Sequence, residues 1–222
     1  YGTKIYITYG DHDMAENIIH LVLARTPDAP EGTKGISLFL VPKFFVNDDG
    51  SLGDRNDVKC IGLEDKLGIH ASPTCVMSFG ENDGAVGWLI GAENTGMAAM
   101  FTMMNNARLN VGIQGVGLAE QATQIAMSYA ADRLQGRAPD AERGDNTPVP
   151  IATHPDVRNM LMTMRSLTDA ARAICYENGV FHDLAHFGGD EKAKAFNDLL
   201  TPISKAFSTD IANEVSSLGV QI

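Results

Sequence analysis

The hydrophobic period of the chain changes near Glu93, and this change constrains the fold more than any motif does. Up to about Ile90 the apolar residues form short runs between turns rich in Gly, Pro, Asn and Asp, which is typical of strands. After Glu93 they recur at steps of three and four, which predicts helices. The sequence therefore predicts an α+β fold with a β region over residues 1–91 and a helical region over residues 92–222. The runs that predict strands are KIYITY, IIHLVLAR, GISLFLVP, TCVMSF and GWLIG.

Two helices of the helical region have recognisable limits. The first follows Glu93, and the second runs from about His154 to Phe187 with Pro155 in its first turn, where proline is favoured. Between them lies the segment GRAPDAERGDNTPVPIAT, whose composition predicts a loop. Glycines at positions 112, 115 and 117 interrupt the first helical pattern, and each costs about 1 kcal/mol relative to alanine. We expect close helix packing to compensate at these glycines.

The third helix is predicted from Lys192 onward. Pro202 either kinks this helix or starts a new one with Thr201 as its N-cap. The stripe expected to be buried is Leu199, Ile203, Phe207, Ile211, Val215 and Leu218.

Composition and charge restrict the possible partners. The 222 residues carry a formal charge of −11, and no Lys/Arg run exceeds two residues, so nucleic acid and anionic membranes are not expected to bind. No apolar run approaches the roughly 20 residues of a membrane-spanning helix. The three cysteines have neither metal-ligand nor disulfide-framework spacing, which favours the reducing cytoplasm. We expect a globular cytoplasmic protein.

Two short motifs are rejected as sites. The segment GVGLAE lacks the third glycine of a dinucleotide fingerprint, and its flanks are helical rather than a strand. His182 and His186 share a helix face at a spacing that can bind metal, but no third ligand is evident. A solvated or capping role is expected for both histidines, and no metal site is predicted.

Several segments, in this order, resemble the acyl-CoA dehydrogenase flavoproteins. They are GTKIYITYG, GISLFLVP, KLGIHASPTCVMSF, the stretch from ENTGMAAM to ADRLQGR, and ISKAFSTDIANEVSSLGVQI. The resemblance implies an N-terminal helical domain, a small β-barrel-like middle domain and a C-terminal four-helix bundle, with FAD held between the middle domain and the bundle. The chain would then be a fragment that starts in the middle domain and stops in the bundle. The insert NDDGSLGDRNDVKC is similar to the larger members of the family.

The resemblance also implies FAD contacts. Tyr6, where the family usually has Trp, and Thr8 match the strand residues that lie against the flavin, and the Thr8 hydroxyl would stabilise charge at the flavin edge. Strand propensity alone would also explain this threonine. Arg133 matches the arginine that reaches the FAD pyrophosphate of a neighbouring subunit, although the helix dipole alone would favour it there. Gln135 matches the adjoining glutamine, and Gln221 matches a glutamine near the adenine.

Three residues are implied to contact acyl-CoA. Arg108 matches an active-site arginine near the thioester, and a charge amid Met104 and Val111 would be costly unless it were paired, which favours a functional role. Asn105 occupies the position of an acid that contacts the acyl chain in many relatives. Thr33, in the segment EGTKG, matches a loop residue that touches CoA.

The reaction that the resemblance implies is removal of the acyl-CoA α-proton by a carboxylate, with transfer of a β-hydride to FAD. The catalytic base of the larger members would lie beyond Ile222, so no catalytic residue is assigned. Glu120, Glu177 and Glu214 are expected to lie on solvated helix faces. Electron-transfer flavoprotein is the implied electron acceptor, and a homodimer or homotetramer is the implied assembly.

Three alternatives remain open at this point. An acyl-CoA oxidase would differ in the access of oxygen to the reduced flavin. A relative of this fold that binds DNA is disfavoured by the acidic charge. A helical scaffold without flavin is the third alternative.

Overall fold

A computed structural model describes all residues from 1 to 222. The chain divides into two compact units, Tyr1–Thr102 and Met103–Ile222, which are called here the β unit and the helical unit. None of the helices contains an apolar stretch long enough to cross a bilayer.

The β unit contains eight strands arranged as small antiparallel sheets. Two sheets have three strands, in the orders β1-β7-β6 and β2-β3-β8, and β4 pairs with β5 as a hairpin. The α+β class is confirmed, and no sheet closes into a barrel. Strand β5 lies within the segment NDDGSLGDRND, one of the stretches rich in Gly, Asn and Asp that predict turns. The prediction of a turn is therefore wrong for this part of the segment. The strands are β1 Gly2–Thr8, β2 Ile19–Ala24, β3 Ser37–Pro42, β4 Phe44–Val46, β5 Leu52–Arg55, β6 Val58–Leu63, β7 Thr74–Phe79 and β8 Trp88–Ile90.

The core of the β unit is small. Strand β7 lies between β1 and β6 and alternates strictly, so that every second side chain is buried. These side chains pack with valines from β3 and β6. The buried residues are Val41, Val58, Cys75, Met77 and Phe79.

Hydrogen bonds from side chains to the backbone supplement this core. The Asn56 amide donates to the carbonyls of Pro42 (2.9 Å) and Val86 (2.8 Å) and accepts from the Val86 N–H (3.0 Å). The neighbouring Asp57 carboxylate accepts from the N–H groups of residues 82, 83 and 84 at 2.7, 3.1 and 3.2 Å. These two residues together fix the connection between β7 and β8.

Three long helices dominate the second half of the chain. Helix α1 spans Gly96–Asp132, α2 spans Pro155–His186 and α3 spans Glu191–Gln221. The limits predicted for α2 are confirmed to within a residue, and Asp190 caps α3 by accepting from two N–H groups of its first turn.

Two details of the helical unit differ from the predictions. Strands β9, Leu134–Arg137, and β10, Pro148–Pro150, form an antiparallel hairpin in the segment predicted as a loop. Helix α3 continues through Pro202, and the Thr201 hydroxyl donates to the Asn197 carbonyl (2.7 Å), so Thr201 is not an N-cap.

The glycines of α1 mark where α3 approaches most closely. A Cβ atom on Gly115 would lie 2.5 Å from the Ser208 carbonyl oxygen, and one on Gly112 would lie 3.0 Å from that of Ser204. Close packing is confirmed at these two positions. It is wrong for Gly117, where no atom lies within 4 Å of the added Cβ.

Buried polar pairs run through the helical core. Thr123 of α1 meets Thr168 of α2 at 3.3 Å, Cys175 meets Ser208 at 3.2 Å, and the Asn178 amide donates to Ser204 at 3.1 Å. The stripe predicted for α3 is therefore only partly right: Ile211 and Val215 are buried, but Leu199 and Ile203 are exposed and small polar residues are buried in that half of the helix. The apolar core contains Val116, Ala119, Ala126, Met164, Ala171, Cys175, Ile211 and Val215.

Candidate functional site

Tyr6 and Thr8 lie at the end of β1, where the pairing with β7 is irregular. The register shifts between Lys4 and Ile7, so Tyr6 falls in a β-bulge, whereas Thr8 lies opposite Thr74. The side chain of Tyr6 is 68% exposed, and that of Thr8 is also exposed. Bulges re-aim side chains and are frequent beside active sites, so the strand presents an aromatic ring and a hydroxyl to a potential ligand.

The backbone on both sides of Thr8 is strained. Tyr6 and Tyr9 have positive φ angles of 58° and 52°, a region that is sterically unfavourable for residues with a Cβ atom. Such strain costs about 1–3 kcal/mol for each residue and clusters at ligand clamps and active sites. This backbone strain could not be predicted from the sequence, because nothing in the residue types indicates it.

The segment that follows Thr8 is fixed by polar contacts. The Lys43 ammonium group contacts the Asp11 carboxylate at 2.5 Å. The Asn17 side chain accepts from the Phe44 N–H and donates to the Phe44 carbonyl, both at 2.9 Å. Burial lowers the pKa of the nearby His20 below its ordinary value. The exit of the β1 strand is therefore held against β4.

Thr33 lies apart from β1, in a 3-10 turn formed by Gly32–Gly35. Its side chain and that of Lys34 are exposed, whereas Gly35 is buried. Of the residues predicted in the β unit, Tyr6 and Thr8 are therefore neighbours, and Thr33 belongs to a separate loop.

Asn105 and Arg108 contact each other on α1. The Arg108 guanidinium donates to the Asn105 side-chain oxygen at 3.2 Å, as the spacing of three residues allows. Arg108 is half-buried between the half-buried residues Met104 and Val111. Asn105 provides part of the pairing of this charge, and the role of Arg108 in substrate binding stays a prediction.

Arg133 and Gln135 lie where α1 ends and β9 begins. The Arg133 N–H donates to the Tyr129 carbonyl, and its own carbonyl accepts from Ile151, both at 2.8 Å. The Gln135 carbonyl contacts Nε2 of His154 at 2.7 Å. Both predicted side chains remain exposed. His154, which the sequence identified only as the approximate start of a helix, thus joins the start of α2 to the backbone of β9.

Gln221 is the last residue of α3, and its side chain is exposed. No hydrogen bond joins its side chain to Arg133 or Gln135. The helical unit therefore presents three separate groups of predicted residues. Asn105 and Arg108 contact each other on α1, Arg133 and Gln135 follow the end of α1, and Gln221 lies at the end of α3.

Glu120 takes part in an ion-pair network between α1 and α2. Its carboxylate accepts from the Arg172 guanidinium, which also contacts Asp169 at 2.5 Å. Hydrogen bonds from the Gln124 amide and from Arg172 lower the pKa of the Glu120 carboxyl. Ion pairing raises the pKa of Arg172 in turn. A carboxylate held in this way is a poor proton acceptor.

The expectation of solvated glutamates is confirmed for Glu177 and Glu214, whose side chains are exposed. It is wrong for Glu120, which is half-buried because Arg172 compensates its charge.

The residues that would hold FAD fit its chemistry. Tyr6 offers an exposed aromatic ring for a planar ring system, and Thr8 beside it offers a hydroxyl donor. The exposed guanidinium of Arg133 can bind a pyrophosphate through two parallel hydrogen bonds. The β unit therefore supplies aromatic and neutral-donor groups, and the helical unit supplies a cationic group, each of which suits one part of such a cofactor.

Residues 94–222 match the acyl-CoA dehydrogenase C-terminal domain, and the chain belongs to the acyl-CoA dehydrogenase family. The chain is 52% identical over 224 residues to 3-methylmercaptopropionyl-CoA dehydrogenase of Ruegeria pomeroyi. The match covers 100% of this chain but only 37% of the length of that relative. The family resemblance seen in the sequence is confirmed.

Solved structures agree on the fold. Butyryl-CoA dehydrogenase from Megasphaera elsdenii matches with a TM-score of 0.71 at 26% identity, covering 99% of this chain and 48% of that one. An acyl-CoA dehydrogenase from Bacillus anthracis, complexed with FAD, matches with a TM-score of 0.70 at 24% identity, covering 99% of this chain and 34% of that one.

Proposed function

We propose that this chain forms the FAD- and substrate-contacting part of an acyl-CoA dehydrogenase that converts an acyl-CoA to its trans-2-enoyl-CoA. The observation that carries the proposal is the 52% identity, along the whole chain, to a dehydrogenase of 3-methylmercaptopropionyl-CoA. That thioester, or another short or medium acyl-CoA, is the proposed substrate.

In the proposed site, Tyr6 and Thr8 hold the flavin ring, and Thr8 donates its hydroxyl to the polar ring edge. Arg133 binds the pyrophosphate of the FAD that a neighbouring subunit holds, with Gln135 next to it in sequence, and Gln221 lies near an adenine. When bound, FAD supplies the acceptor for the substrate hydride. A polar group aimed at the flavin edge is most effective where water is excluded, and the fixed segment after Thr8 supports that geometry.

The substrate contacts are assigned to the remaining predicted residues. Arg108, oriented by Asn105, lies at the thioester end of the pocket, and Thr33 touches CoA. We further propose electron-transfer flavoprotein as the electron acceptor and a homodimer or homotetramer as the assembly, because the predicted role of Arg133 reaches into a neighbouring subunit.

Anaerobic titration of the full-length protein with 3-methylmercaptopropionyl-CoA tests the proposal. We expect the purified protein to show a flavin absorption band that bleaches as the enoyl-CoA forms. Oxygen consumption during turnover in air would instead indicate an oxidase. Protein that carries no flavin after reconstitution with FAD would contradict the proposal.

A matched pair of threonine variants tests the site within the same strand. Thr8→Val removes the proposed donor to the flavin, whereas Thr3→Val alters an exposed threonine that lies earlier in β1. We expect Thr8→Val to slow flavin reduction by about tenfold, as for the loss of one donor worth about 1.4 kcal/mol, and Thr3→Val to leave it unchanged. Equal rates of flavin reduction in the two variants would contradict the proposed contact between Thr8 and the flavin.

A further inference from the structure

Arg25 ties together the loop that carries Thr33. It directly follows β2, and the loop returns the chain to β3 at Ser37. The Arg25 guanidinium donates a hydrogen bond from Nη1 to the Pro30 carbonyl at 2.7 Å and another from Nη2 to the Gly32 carbonyl. One planar side chain thus joins the start of the loop to two points near its tip.

The loop leaves little room around this contact. A Cβ atom on Gly35 would collide with the Pro30 carbonyl and lie 2.6 Å from Nη1 of Arg25. Gly32 has a φ of +72°, a conformation that favours glycine. The Thr26 hydroxyl adds a contact to Glu93 at 3.2 Å. The loop is therefore tightly folded around the contacts of the exposed Arg25 side chain.

The side chains that the loop presents outward are polar. Glu31, Thr33 and Lys34 are all exposed, whereas Gly35 is buried. Thr33 lies next to Gly32, the carbonyl of which accepts from Arg25. A change in the position of that carbonyl moves the Thr33 backbone directly, because the two residues share a peptide bond.

We propose that Arg25 is a positioning residue for acyl-CoA binding, which holds the 26–36 loop so that the Thr33 hydroxyl meets the CoA moiety. This inference rests on the proposed function and on the proposed role of Thr33. Arg25 acts through the Pro30 and Gly32 carbonyls, and it contributes geometry rather than charge to substrate binding.

Arginine suits this task in a way that lysine does not. The guanidinium presents several N–H donors in a rigid planar fork, whereas the lysine ammonium is a point charge on a flexible stem. Arg25→Lys therefore keeps the positive charge but loses the rigid double contact. A role in attracting the CoA phosphates would survive this substitution, and a positioning role would not.

Steady-state kinetics of the flavin-loaded full-length protein tests the inference. The variants are Arg25→Lys, Arg25→Ala, Thr33→Val and the double variant Arg25→Ala/Thr33→Val. Each is assayed with 3-methylmercaptopropionyl-CoA and with the same acyl group on N-acetylcysteamine, which lacks most of CoA. Arg143→Ala is the matched control, because Arg143 is exposed in the segment between β9 and β10.

We expect both Arg25 variants to raise KM for the acyl-CoA by about three- to tenfold, as for one hydrogen bond. The kcat, and both constants for the N-acetylcysteamine thioester, should stay unchanged, as should those of Arg143→Ala. The double variant should be no worse than Thr33→Val alone, because Arg25 acts through Thr33.

A second perturbation changes the geometry of the same loop while Arg25 keeps its charge. Gly35→Ala crowds the Pro30 carbonyl without touching the charge of Arg25, and it should raise the same KM selectively. The inference is overturned if Arg25→Lys behaves as wild type, if both substrates lose kcat alike, or if the double variant shows additive losses. Wild-type protein that lacks flavin or turnover would contradict the proposed function instead.

Discussion

The two units of this chain are stabilised by different means. In the helical unit, glycines at positions 112 and 115 bring α1 against α3, and much of the core is alanine. In the β unit, the core contains five buried residues, and side chains such as Asn17, Arg25 and Asn56 bind backbone groups of neighbouring loops and strands. The helical unit combines close packing with buried polar pairs between helices, and the β unit combines a small core with hydrogen bonds from side chains to the backbone.

This difference determines which substitutions each unit tolerates. A close helix contact has no space for an added methyl group, because packed interiors leave few voids. A loop that is fixed by the hydrogen bonds of one side-chain amide tolerates changes in the volume of its side chains. It does not tolerate the loss of the donors and acceptors of that amide.

The largest effect is expected for Gly115→Val in the helical unit. A Cβ at this position would lie 2.5 Å from the Ser208 carbonyl oxygen, and overpacking of this kind costs about 3 kcal/mol of unfolding free energy. Gly117→Ala is the matched control: the site is open, so the better helix propensity of alanine should add about 1 kcal/mol. Calorimetry of the full-length protein measures both. Equal effects of the two substitutions would refute close packing as the cause.

A smaller effect is expected for Asn56→Ala in the β unit. The variant leaves the carbonyls of Pro42 and Val86 without their donor, which costs about 2 kcal/mol. Hydrogen exchange read by mass spectrometry should show faster exchange in the β7–β8 connection and no change in α1 to α3. Asn213→Ala, on an exposed helix face, should leave both regions unchanged. Uniformly faster exchange across the chain would contradict a local anchor.

The smallest effect is expected for Glu120→Gln, at about 1 kcal/mol, because the ion pair is partly exposed to solvent. The folded state lowers the pKa of this carboxyl below its ordinary value of 4.5. Its stabilising contribution is therefore fully present above that value and is lost as the pH falls through the lower pKa of the folded protein. The difference in melting temperature between wild type and Glu120→Gln should shrink in acid. A constant difference down to pH values below the folded pKa would contradict this assignment.

The sequence predicted the limits of the long helices better than it predicted which of their residues are buried. The limits of α2 follow from Pro155 and from the glycines after Phe187, which are local signals. The buried stripe of α3 was only partly right, because periodicity counts large apolar residues, whereas this helix meets α1 through Ser204 and Ser208. The hairpin of β9 and β10 was missed because its proline-rich composition favours a loop.

For the site, the sequence identified residues but not their conformations. The family resemblance singled out Tyr6 and Thr8, yet the bulge and the positive φ of Tyr9 depend on pairing with β7, which is a distant segment. The contacts of Arg25 could not be predicted for a different reason: its acceptors are backbone carbonyl groups, which every residue has. Tertiary position, rather than residue type, gives these groups their significance.

The polar pairs inside the helical unit also determine how the helices can align. Thr123 meets Thr168, Cys175 meets Ser208, and Asn178 meets Ser204. A slide of one helix by a single turn, about 5.4 Å, would separate the pairs it shares with its neighbours. Each buried group left alone would cost about 1–3 kcal/mol, a penalty that smooth alanine surfaces do not impose. We expect these pairs to disfavour every register of the three helices other than the one observed.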